Sequence, residues 1–459
     1  MIDRFLPFLR ELKRKGVEDS WLVGGVVRDL LLEKEPADVD VVCSETDAET
    51  LVSKVGGVTI GKPPFCTVST FLLDCPVEIA LLTGTSIQKD LERRDFTINA
   101  IAADAAGNII DPFGGAADIS QRILRLVPPL TPKIPPYEAD PVRVVRLLRF
   151  ACTLGFTIEP ETEKATKKFI LSHLAELANI PKERYGKEFL KGFAFRPYDF
   201  LTMLEDYSLL PAILPEIEAM RGVEQPPAYH PEGDVLTHTF HTLAEVQKIM
   251  ENRHCRDVVL ALSALFHDTG KPQTLRPHPK YGHNCFFGHD ETGEKIASDT
   301  LSSWAVPGSI ASEVASLVRY HMILGGEFTE RTCVKLIRRL GNTEGDDMPL
   351  VDRLFDLALC DSKGAMGSGE NIIAARKLFC EVRDNFFHAK DTSSKKWLDG
   401  HDVMEILDIP PGRKVGQILE ELDVAIGTGK LRNKDEAVEW LKNGMPFLDN
   451  CEASKLEAS

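Results

Sequence analysis

Short apolar segments separated by turns dominate the first hundred residues of the chain. The run W-L-V (21–23) has the length and composition of a strand, and the pair Gly24-Gly25 after it predicts a turn. The following V-V-R-D-L-L-L (26–32) predicts a helix, and D-V-D-V-V (38–42) predicts another strand. The pattern therefore predicts a strand, a glycine turn and a helix, followed by a second strand.

The two glycines lie where the first predicted strand meets the helix. At such a junction glycines allow backbone N–H groups to approach an anion closely. Arg28, in the first turn of the predicted helix, adds a cation beside Gly24 and Gly25. A Gly-Gly turn alone serves only the fold in most proteins, so a binding role requires further polar groups nearby.

Two aspartates stand one residue apart in the second predicted strand. Side chains alternate along a strand, so Asp38 and Asp40 point to the same side. Buried carboxylates are costly unless something pairs with them, and Mg²⁺ binds one or two carboxylates while substrate phosphates complete its shell. A lone D-x-D pair is more often a solvated strand end, but beside an anion-binding turn it predicts a Mg²⁺ site. Glu78, on the predicted strand P-V-E-I-A, is either a third carboxylate or an exposed residue of an edge strand.

The segment D-L-E-R-R-D-F-T-I-N-A-I-A (90–102) places charged residues before an apolar run that predicts a helix. A spacing of four puts Asp95 and Asn99 on one face of that helix. The guanidinium groups of Arg93 and Arg94 suit a triphosphate, whereas Asp and Asn suit ribose hydroxyls. The alternative is a capped helix with a solvated cluster of charges.

Composition narrows the class of protein. The 459 residues suffice for roughly three or four domains. The net charge of −16 argues against a general nucleic-acid coat, although a local basic groove is compatible with it. The first 15 residues have the spacing of an amphipathic helix rather than a signal peptide, and no apolar run is long enough to span a membrane. Ten cysteines without a C-x-x-C pair favour a reduced, cytoplasmic setting.

Histidines are concentrated in the middle of the chain, where nine of the twelve lie between His230 and His321. The run A-L-S-A-L-F-H-D-T-G-K-P (261–272) predicts an apolar helix that ends in His267 and Asp268. A single histidine on an apolar face is usually a core residue. An adjacent His-Asp pair, with further histidines and aspartates on other predicted helices, favours a metal site.

Taken together, the motifs of the first 150 residues resemble those of the class II tRNA nucleotidyltransferase and bacterial poly(A) polymerase family. The matching motifs, in order, are G-G-V-V-R-D (24–29), D-V-D (38–40), R-R-D-F-T-I-N-A (93–100), D-P-F-G-G-A-A-D-I (111–119) and A-D-P-V-R-V-V-R-L-L-R-F (139–150). The resemblance implies a small mixed-sheet palm followed by a helical neck. It also implies that Asp38 and Asp40 are catalytic and bind Mg²⁺, and that Asp95 lies near the ribose. The residues that it implies for nucleotide binding are Gly24, Gly25, Arg28, Arg94, Asp95, Asn99, Asp140, Arg143 and Arg146.

Members of this family select the incoming base with an Asp and an Arg that correspond here to Asp140 and Arg143. A carboxylate accepts from an exocyclic amino group, and an arginine donates to ring nitrogens or carbonyls. The spacing of three predicts that both side chains lie on one helix face. The family usually has Glu before this Asp, whereas here position 139 is Ala and the nearest acid is Glu138.

The segment L-L-T-G-T-S-I-Q-K (81–89) is short. It precedes R-R-D-F-T-I-N-A (93–100), which we call the arginine motif. Members that add the whole CCA sequence carry a longer flexible loop here, which helps to switch the pocket from CTP to ATP. In lacking this loop, the chain resembles the CC-adding enzymes. We therefore expect tRNA as substrate, CTP as nucleotide and the addition of two cytidines. Full CCA addition with CTP and ATP is the alternative if another loop does this work.

The histidine-rich region resembles the HD-domain metal phosphohydrolases, whose ligand pattern is H…HD…D. The implied metal ligands are His238, His267, Asp268 and Asp361. His289 and His321 are left for a second ion or the phosphate. Imidazole with carboxylate favours Ni²⁺, Mn²⁺ or Fe²⁺, with Mg²⁺ as an alternative, and a metal-bound water would attack a phosphate ester. Otherwise the metal only stabilises the helices.

The combined resemblance implies an α+β chain, with a small mixed-sheet nucleotidyltransferase palm at the N-terminus followed by all-helical neck, HD and tail domains. The expected tail includes P-P-G-R-K-V-G (410–416), which offers Arg413 and Lys414 to a tRNA backbone. A solvated turn is equally consistent with these seven residues taken alone. No membrane partner is expected, and a homodimer is compatible with the sequence. The expected ranges are palm 1–125, neck 126–220, HD domain 221–385, tail 386–448 and a disordered end at 449–459.

Two other functions share parts of these patterns. A bacterial poly(A) polymerase has the same palm motifs, but the HD domain and the acidic balance favour the tRNA enzyme, because polymerases that act on many RNAs tend to carry basic tails. An RNA-binding phosphohydrolase with an inert palm is the other alternative. The intact D-V-D and R-R-D-F-T-I-N-A motifs argue against it.

Overall fold

The computed structural model describes residues 2–61, 66–128, 136–340, 349–391 and 397–443. The expected disordered end, 449–459, lies outside the described residues. Packing divides the chain into two compact units, Met1–Leu214 and Pro215–Ser459. The finer domain boundaries expected from the sequence stay predictions.

The first unit combines a sheet with helices that cover it and a helical region after them. Its helices are α1 Leu6–Arg14, α2 Gly25–Leu31, α3 Ala48–Val55, α4 Ile87–Glu92, α5 Gly115–Gln121, α6 Pro136–Ala139, α7 Arg143–Leu154, α8 Pro160–Asn179, α9 Lys182–Phe195, α10 Pro197–Asp206 and α11 Leu210–Ile213. Its strands are β1 Ser20–Val23, β2 Val39–Cys43, β3 Val58–Ile60, β4 Thr67–Leu72, β5 Cys75–Leu81, β6 Ala102–Ala103, β7 Ile109–Ile110, β8 Ile123–Leu124 and β9 Thr157–Ile158. Two 3-10 turns lie at Ile2–Arg4 and Thr97–Asn99.

Seven of these strands form one mixed sheet in the order β3-β4-β5-β2-β1-β6-β7. β2 and β5 run parallel, with Asp40 opposite Glu78, whereas the other neighbours in the sheet are antiparallel. Alternate residues of the strands enter two apolar clusters, with Leu22 and Val41 in one and Val42 in the other. Apolar side chains therefore cover both faces of the sheet around β1 and β2, whereas the outer strand β3 is exposed. The small mixed sheet predicted for the N-terminal region is confirmed.

The apolar helix predicted after the arginine motif is wrong. Thr97–Asn99 forms a single 3-10 turn, and Ala102–Ala103 then pairs with β1 as strand β6. Four apolar residues are too few for a stable helix, whereas the edge of β1 offers them backbone hydrogen bonds. Asp95 and Asn99 meet nevertheless, because the tight turn brings Asn99 Nδ2 to 2.9 Å from Asp95 Oδ1.

The second unit is mostly helical. Its helices are α12 Pro215–Glu218, α13 Val235–Asn252, α14 Val258–Phe266, α15 Lys271–Thr274, α16 His289–Ser303, α17 Gly308–Tyr320, α18 Glu330–Leu340, α19 Pro349–Gly364, α20 Glu370–Asp391, α21 Gly400–Leu407, α22 Arg413–Gly427 and α23 Lys434–Lys442. A 3-10 turn lies at His321–Leu324, and the two-residue strands β10 Arg276–Pro277 and β11 Asn284–Cys285 form a hairpin. Among the described helices, none combines the length and hydropathy needed to cross a bilayer.

Two helices place the histidine-rich region in the core of the second unit. Asp234 caps α13 by accepting from the Thr237 N–H at 2.8 Å, and Asp257 caps α14 by accepting from the Leu260 N–H at 3.0 Å. Residues 259–266 of α14 are all buried, so this helix is surrounded by apolar side chains. Its burial carries His267, the next residue, into the interior of the unit.

Adjacent glycines before and within α5 provide a test of the packing under the Thr97–Asn99 turn. Gly114 has a φ of +73° in open space, so an alanine there costs about 1 kcal/mol of backbone strain. A Cβ on Gly115 would lie 2.1 Å from the Thr97 carbonyl oxygen, and Gly115→Ala must therefore displace that turn at a cost of roughly 3 kcal/mol. Urea denaturation should show the larger loss of unfolding free energy for Gly115→Ala. Equal losses in the two variants would contradict this packing.

Candidate functional site

The predicted anion-binding turn lies between β1 and α2. Gly24 has a φ of +64°, and a Cβ there would stand 2.9 Å from Nη1 of Arg94. A Cβ on Gly25 would stand 3.7 Å from Nη2 of Arg28 and 3.8 Å from Oδ2 of Asp40. The turn therefore brings two guanidinium groups and one carboxylate to the same place, and a side chain at position 24 would be excluded by both its backbone and Arg94.

Three carboxylates lie near the N-terminal end of β2. Asp40 is partly buried within the strand, Asp38 is exposed just before it, and Glu78 lies opposite on β5. Burial, and next the charge of Glu78, raises the pKa of Asp40, while Arg94 lowers it. Carboxylates that repel one another in this way favour a divalent cation among them. The oxygen chemistry of this group fits Mg²⁺.

A chain of contacts links Arg28 to Arg146. Arg28 Nη1 donates to Asn99 Oδ1 at 2.8 Å, Asn99 Nδ2 donates to Asp95 Oδ1 at 2.9 Å, and Asp95 Oδ2 lies 2.9 Å from Arg146 Nη2. Burial of Asp95 acts to raise its pKa, but Arg146, Asn99 and the N–H of Phe96 lower it overall. The charged Asp95 therefore holds Asn99 and Arg146 in place, and four of the predicted nucleotide-binding residues form one network.

Arg93 and Arg94 share the buried carboxylate of Asp90. This carboxylate accepts from Arg93 Nη2 at 2.8 Å and from Arg94 Nη2 at 3.1 Å, and it also accepts from the Thr83 N–H at 3.2 Å. Asp90 thus fixes the direction of both arginines and ties them to the segment that connects β5 with α4. Arg94, held in this way, reaches the glycine turn with its other nitrogen.

Asp140 and Arg143, the predicted base-reading pair, lie at the start of α7. Arg143 is the first residue of the helix, whereas Asp140 precedes it in the opening turn. The predicted common helix face is therefore wrong, because Pro141 disfavours helical backbone in the residue before it. The Asp140 carboxylate accepts from the Val142 N–H at 3.2 Å and from Arg184 at 2.7 Å.

The guanidinium group of Arg143 is held by backbone carbonyls. Its Nη1 donates to the carbonyl of Pro136 at 3.2 Å, and its Nη2 donates to the carbonyl of Arg93. The position of Arg143 is thereby tied to the arginine motif. Glu138 and Ala139, where the family has its usual acid, are both exposed.

Four imidazole rings of the second unit are oriented in the same way. In His267, His289 and His321 the Nδ1–H donates to the backbone carbonyl three residues earlier, at 2.9, 2.8 and 2.7 Å. In His238 it donates to Glu232 Oε1 at 2.7 Å. Because Nδ1–H donates in each ring, Nε2 is the nitrogen that each ring turns towards the other rings and carboxylates, as is required of a metal ligand.

The four predicted metal ligands of the second unit come together from α13, α19 and the end of α14. His238 Nε2 lies 2.8 Å from Asp361 Oδ1 and 3.3 Å from His267 Nε2. Asp268 Oδ2 lies 3.2 Å from His267 Nε2 and 3.9 Å from His238 Nε2. Two imidazoles and two carboxylates with these separations fit the donor set of a transition-metal ion.

A second group of ligand atoms shares Asp268. Its other oxygen, Oδ1, lies 3.6 Å from His289 Nε2 and 3.8 Å from His321 Nε2, and these two nitrogens are 3.2 Å apart. Asp268 therefore contributes one oxygen to each group, an arrangement that fits two neighbouring cations. We call all six side chains the HD cluster; they are His238, His267, Asp268, His289, His321 and Asp361.

Charges and burial within the HD cluster shift the pKa values of two of its imidazoles in opposite directions. Burial opposes the charge on His238, but Asp361 and Glu232 raise its pKa to about 9. Burial, and next His267, lowers the pKa of His321 to about 4, so this ring is neutral at pH 7. A positive charge is thus favoured between His238 and Asp361, and a metal ion can supply it in place of a proton.

Two residues that support this cluster, Glu232 and Lys271, were not predicted from the sequence. Glu232 accepts from His238 and also from His230 Nδ1 at 2.9 Å, and Lys271 Nζ donates to Asp268 at 2.6 Å and to Gln225 at 2.7 Å. Glu232 gave no signal because it lies in a loop before α13, where periodicity does not apply. Lys271 could have been found from its position one turn after the His-Asp pair.

The predicted tRNA-contacting residues of the tail lie at a helix start. Arg413 and Lys414 are exposed in the first turn of α22, after Gly412. The tail has its own apolar cluster, which includes Trp397, Val403 and other buried residues up to Leu441. Two basic side chains on a helix start are compatible with a phosphate contact.

Comparison with known proteins adds independent observations. Three family models match parts of the chain. The poly A polymerase head domain matches residues 20–82 and 77–125, the probable RNA and SrmB-binding site of polymerase A matches 155–221, and the HD domain matches 235–363.

Curated relatives match most of the chain. An A-adding tRNA nucleotidyltransferase of Deinococcus radiodurans is 30% identical over 435 residues, which cover 91% of this chain and 93% of that protein. A multifunctional CCA protein of Tolumonas auensis is 33% identical over 378 residues, covering 76% of this chain and 86% of that protein.

Solved structures share the fold along nearly the whole chain. The CCA-adding enzyme of Bacillus stearothermophilus in complex with CTP superposes with a TM-score of 0.62 at 23% identity, covering 98% of both chains. The CCA-adding enzyme of Thermotoga maritima complexed with tRNA gives 0.57 at 20% identity, covering 95% of both. With the motifs in order and relatives at this identity and coverage, the chain is an enzyme of the tRNA nucleotidyltransferase family with a poly(A) polymerase-type head and an HD domain.

Proposed function

We propose that the protein adds nucleotides to the 3′ end of tRNA and uses CTP to do so. The observation that carries this proposal is the convergence of Gly24, Arg28, Arg94 and Asp40 at one turn of the first unit. Two guanidinium groups beside backbone N–H groups suit a triphosphate, and the neighbouring carboxylates suit the magnesium that accompanies it. Family membership supplies the RNA substrate class.

Asp38 and Asp40 would hold the Mg²⁺ ions of a two-metal mechanism. When bound, these ions lower the pKa of an attacking hydroxyl and stabilise the leaving pyrophosphate. Arg28 and Arg94 orient the triphosphate, and Asn99 faces the sugar from a position fixed by Asp95. The first unit therefore contributes positioning and charge, while the reacting groups belong to the nucleotide and the RNA.

Asp140 and Arg143 would read the base edge of the incoming nucleotide. Asp140 pairs with Arg184 at 2.7 Å, and both side chains are partly exposed, so a base amino group can compete for this carboxylate. Arg143 is held by two backbone carbonyls and would present its remaining donors. The exposed Arg413 and Lys414 of α22 are the proposed contact with the tRNA backbone.

Two observations favour different answers to the question of which nucleotides, and how many, the protein adds. Only residues 82–86 connect β5 with α4, and this short connection supports the addition of two cytidines. The relative from Deinococcus radiodurans, named as A-adding, favours addition of the final adenosine as a second candidate. We propose CC addition and regard A addition as the competing activity.

Nucleotide incorporation into defined tRNA ends tests this proposal. We expect transcripts that end at the discriminator base to gain two cytidines with CTP alone, and to gain nothing further when ATP is added. Gel electrophoresis with each labelled nucleotide, singly and in pairs, resolves these products.

Each other outcome identifies another enzyme. Addition of one adenosine only to transcripts that already end in CC indicates A addition, and both additions indicate the complete CCA enzyme. Long adenosine tracts indicate a poly(A) polymerase, and no incorporation at all would indicate an inert palm.

We further propose that the HD cluster is a metal-dependent phosphohydrolase site. His238, His267, Asp268 and Asp361 would hold one divalent ion, and Asp268 with His289 and His321 would hold a second. Transition ions such as Ni²⁺, Mn²⁺ or Fe²⁺ suit this mixture of imidazole and carboxylate, with Mg²⁺ as the alternative. When bound, they would generate a nucleophilic water for attack on a phosphate ester.

Single substitutions should separate the two activities. Asp40→Ala removes a ligand of the nucleotidyl-transfer site and should reduce nucleotide incorporation by roughly a thousandfold, since metal stabilisation is worth several kcal/mol. It should leave hydrolysis of a phosphate ester in place, whereas His267→Ala should have the reverse effect. Circular dichroism controls for folding. Loss of both activities in either folded variant would refute two independent sites.

Glu232 offers a test of how the HD cluster is built. Its hydrogen bond fixes the tautomer of His238, so Glu232→Ala should weaken the affinity for Mn²⁺ by about 10–100-fold. Glu232→Gln keeps an acceptor for the same Nδ1–H and should lose less. Calorimetric titration with Mn²⁺ measures both. A loss as large in the Gln variant as in the Ala variant would mean that the charge, rather than the orientation of His238, is what matters.

A further inference from the structure

Helix α9 of the first unit has an apolar face and a charged face. The apolar face is made of buried aromatic side chains, which are Tyr185, Phe189 and Phe193. Successive spacings of four and three residues put Arg184, Glu188 and Lys191 together on another face of the same helix. We call these three residues the α9 stripe. Because the buried aromatics fix the rotation of the helix about its axis, the direction of the α9 stripe is fixed as well.

The first two residues of the α9 stripe bind residues in and just before α7. Arg184 donates to the Asp140 carboxylate at 2.7 Å, and the Glu188 carboxylate accepts from Arg149 Nε at 2.5 Å. Asp140 precedes α7, whereas Arg149 lies in the second half of that helix. The α9 stripe therefore follows α7 in the direction of the chain, and Lys191 is its next residue, about one turn after Glu188.

This part of α7 lies against the glycine turn of the palm. The guanidinium carbon of Arg149 is 3.9 Å from the centre of the Phe150 ring, and that of Arg28, in the helix after the turn, is 5.2 Å from the same ring. The α9 stripe thus leads, by way of α7, towards the carboxylate of Asp40. Burial raises the pKa of Asp40, whereas the charge of Lys191 acts to lower it, which agrees with this placement.

Lys191 differs from the arginines of the glycine turn in having no carboxylate of its own. Its side chain is exposed and, among the described residues, forms no ion pair. Arg28 and Arg94 are already assigned to the triphosphate, so Lys191 remains for another anion. The attacking 3′-hydroxyl of the RNA must come to Asp40, and it brings the preceding backbone phosphate with it. The neighbouring carboxylates repel that phosphate, and an ammonium group from α9 would offset the repulsion.

We propose that Lys191 binds a backbone phosphate near the 3′ end of the acceptor RNA and thereby positions the terminal hydroxyl for attack. This inference rests on the proposed nucleotidyl transfer and adds a positioning residue for its RNA substrate. Lys191 contributes a point charge with three donors and takes no part in the making or breaking of bonds. A contact of this kind fixes the register of the RNA without reading its sequence.

The salt dependence of RNA binding tests the assignment. Lys191→Ala should weaken the binding of a tRNA transcript that ends at the discriminator base by roughly tenfold, because a hydrogen bond to a charged group is lost. Between 50 and 200 mM salt, which are about the limits for such a titration, the affinity of the variant should fall about threefold less than that of the wild type, since one phosphate contact is missing. Lys191→Arg keeps the charge and should keep the salt dependence. Fluorescence anisotropy with labelled transcript measures all three proteins.

Steady-state kinetics separate the RNA from the other ligands of the palm. Lys191→Ala should raise the KM for the transcript by about tenfold and leave the KM for CTP unchanged. A raised KM for CTP with an unchanged KM for the transcript would place Lys191 at the triphosphate and overturn the proposal. An altered requirement for Mg²⁺ with unchanged affinity for the transcript would also overturn it, because Lys191 would then only offset the charge of Asp40.

Lys182 provides the matched control. It is the first residue of α9, and its place in the sequence puts it on the side of the helix opposite Lys191. Lys182→Ala should retain the wild-type affinity for the transcript and its salt dependence. Equal losses in the two alanine variants, or an unchanged salt dependence in Lys191→Ala, would contradict the proposal. If the wild type adds no nucleotide to any transcript, the proposed transfer fails, and the binding measurements, which need no catalysis, still decide the role of Lys191.

Discussion

Burial of carboxylates beside other charged groups is the constraint on which both sites of this enzyme depend. Burial, and next the charge of Glu78 opposite on the parallel strand β5, raises the pKa of Asp40 on β2. Arg94 offsets only part of this cost. A sheet that holds carboxylates in this way is stabilised by any ligand that brings positive charge, so the charges that strain the strand are also those that suit a divalent cation.

The second unit meets the same constraint with a different set of groups. Asp268 is buried and Asp361 is half-buried beside the same imidazoles, and these imidazoles together with Lys271 supply the compensating charge. Backbone carbonyls accept hydrogen bonds from the Nδ1–H groups of His267, His289 and His321, which holds the Nε2 side of these rings towards the carboxylates. Orientation by the main chain is robust, because a carbonyl one helical turn back is present whatever the sequence. Only His238 depends on a side chain, Glu232, for its orientation.

Local features could be predicted from the sequence because their causes are local. The strand, glycine turn and helix at 20–31 arise from apolar spacing and from two glycines, and the structure has them where they were expected. The helix expected after Asn99 was wrong, since pairing with β1 decides the conformation of Ala102 and no local pattern reports that pairing. Glu232 was not predicted for a similar reason, because no local pattern reports its hydrogen bond with His238. The contact between His238 and Asp361 spans 123 positions and was reached only through the resemblance to HD domains.

Asp140 and Arg143, the proposed base-reading pair, cannot by themselves choose between cytidine and adenosine. Both bases present an amino donor beside a ring-nitrogen acceptor, so a carboxylate and a guanidinium group accept either and reject uracil and guanine. The two bases differ in size, so selection of one over the other depends on how closely the surrounding chain confines the base. Arg143 donates to the carbonyl of Arg93, Arg93 binds Asp90, and Asp90 accepts from the N–H of Thr83 in the short connection after β5. The length of that connection is therefore coupled, through three contacts, to the position of Arg143, the proposed base-reading arginine, and a short connection leaves little freedom for the shift that a larger base would require.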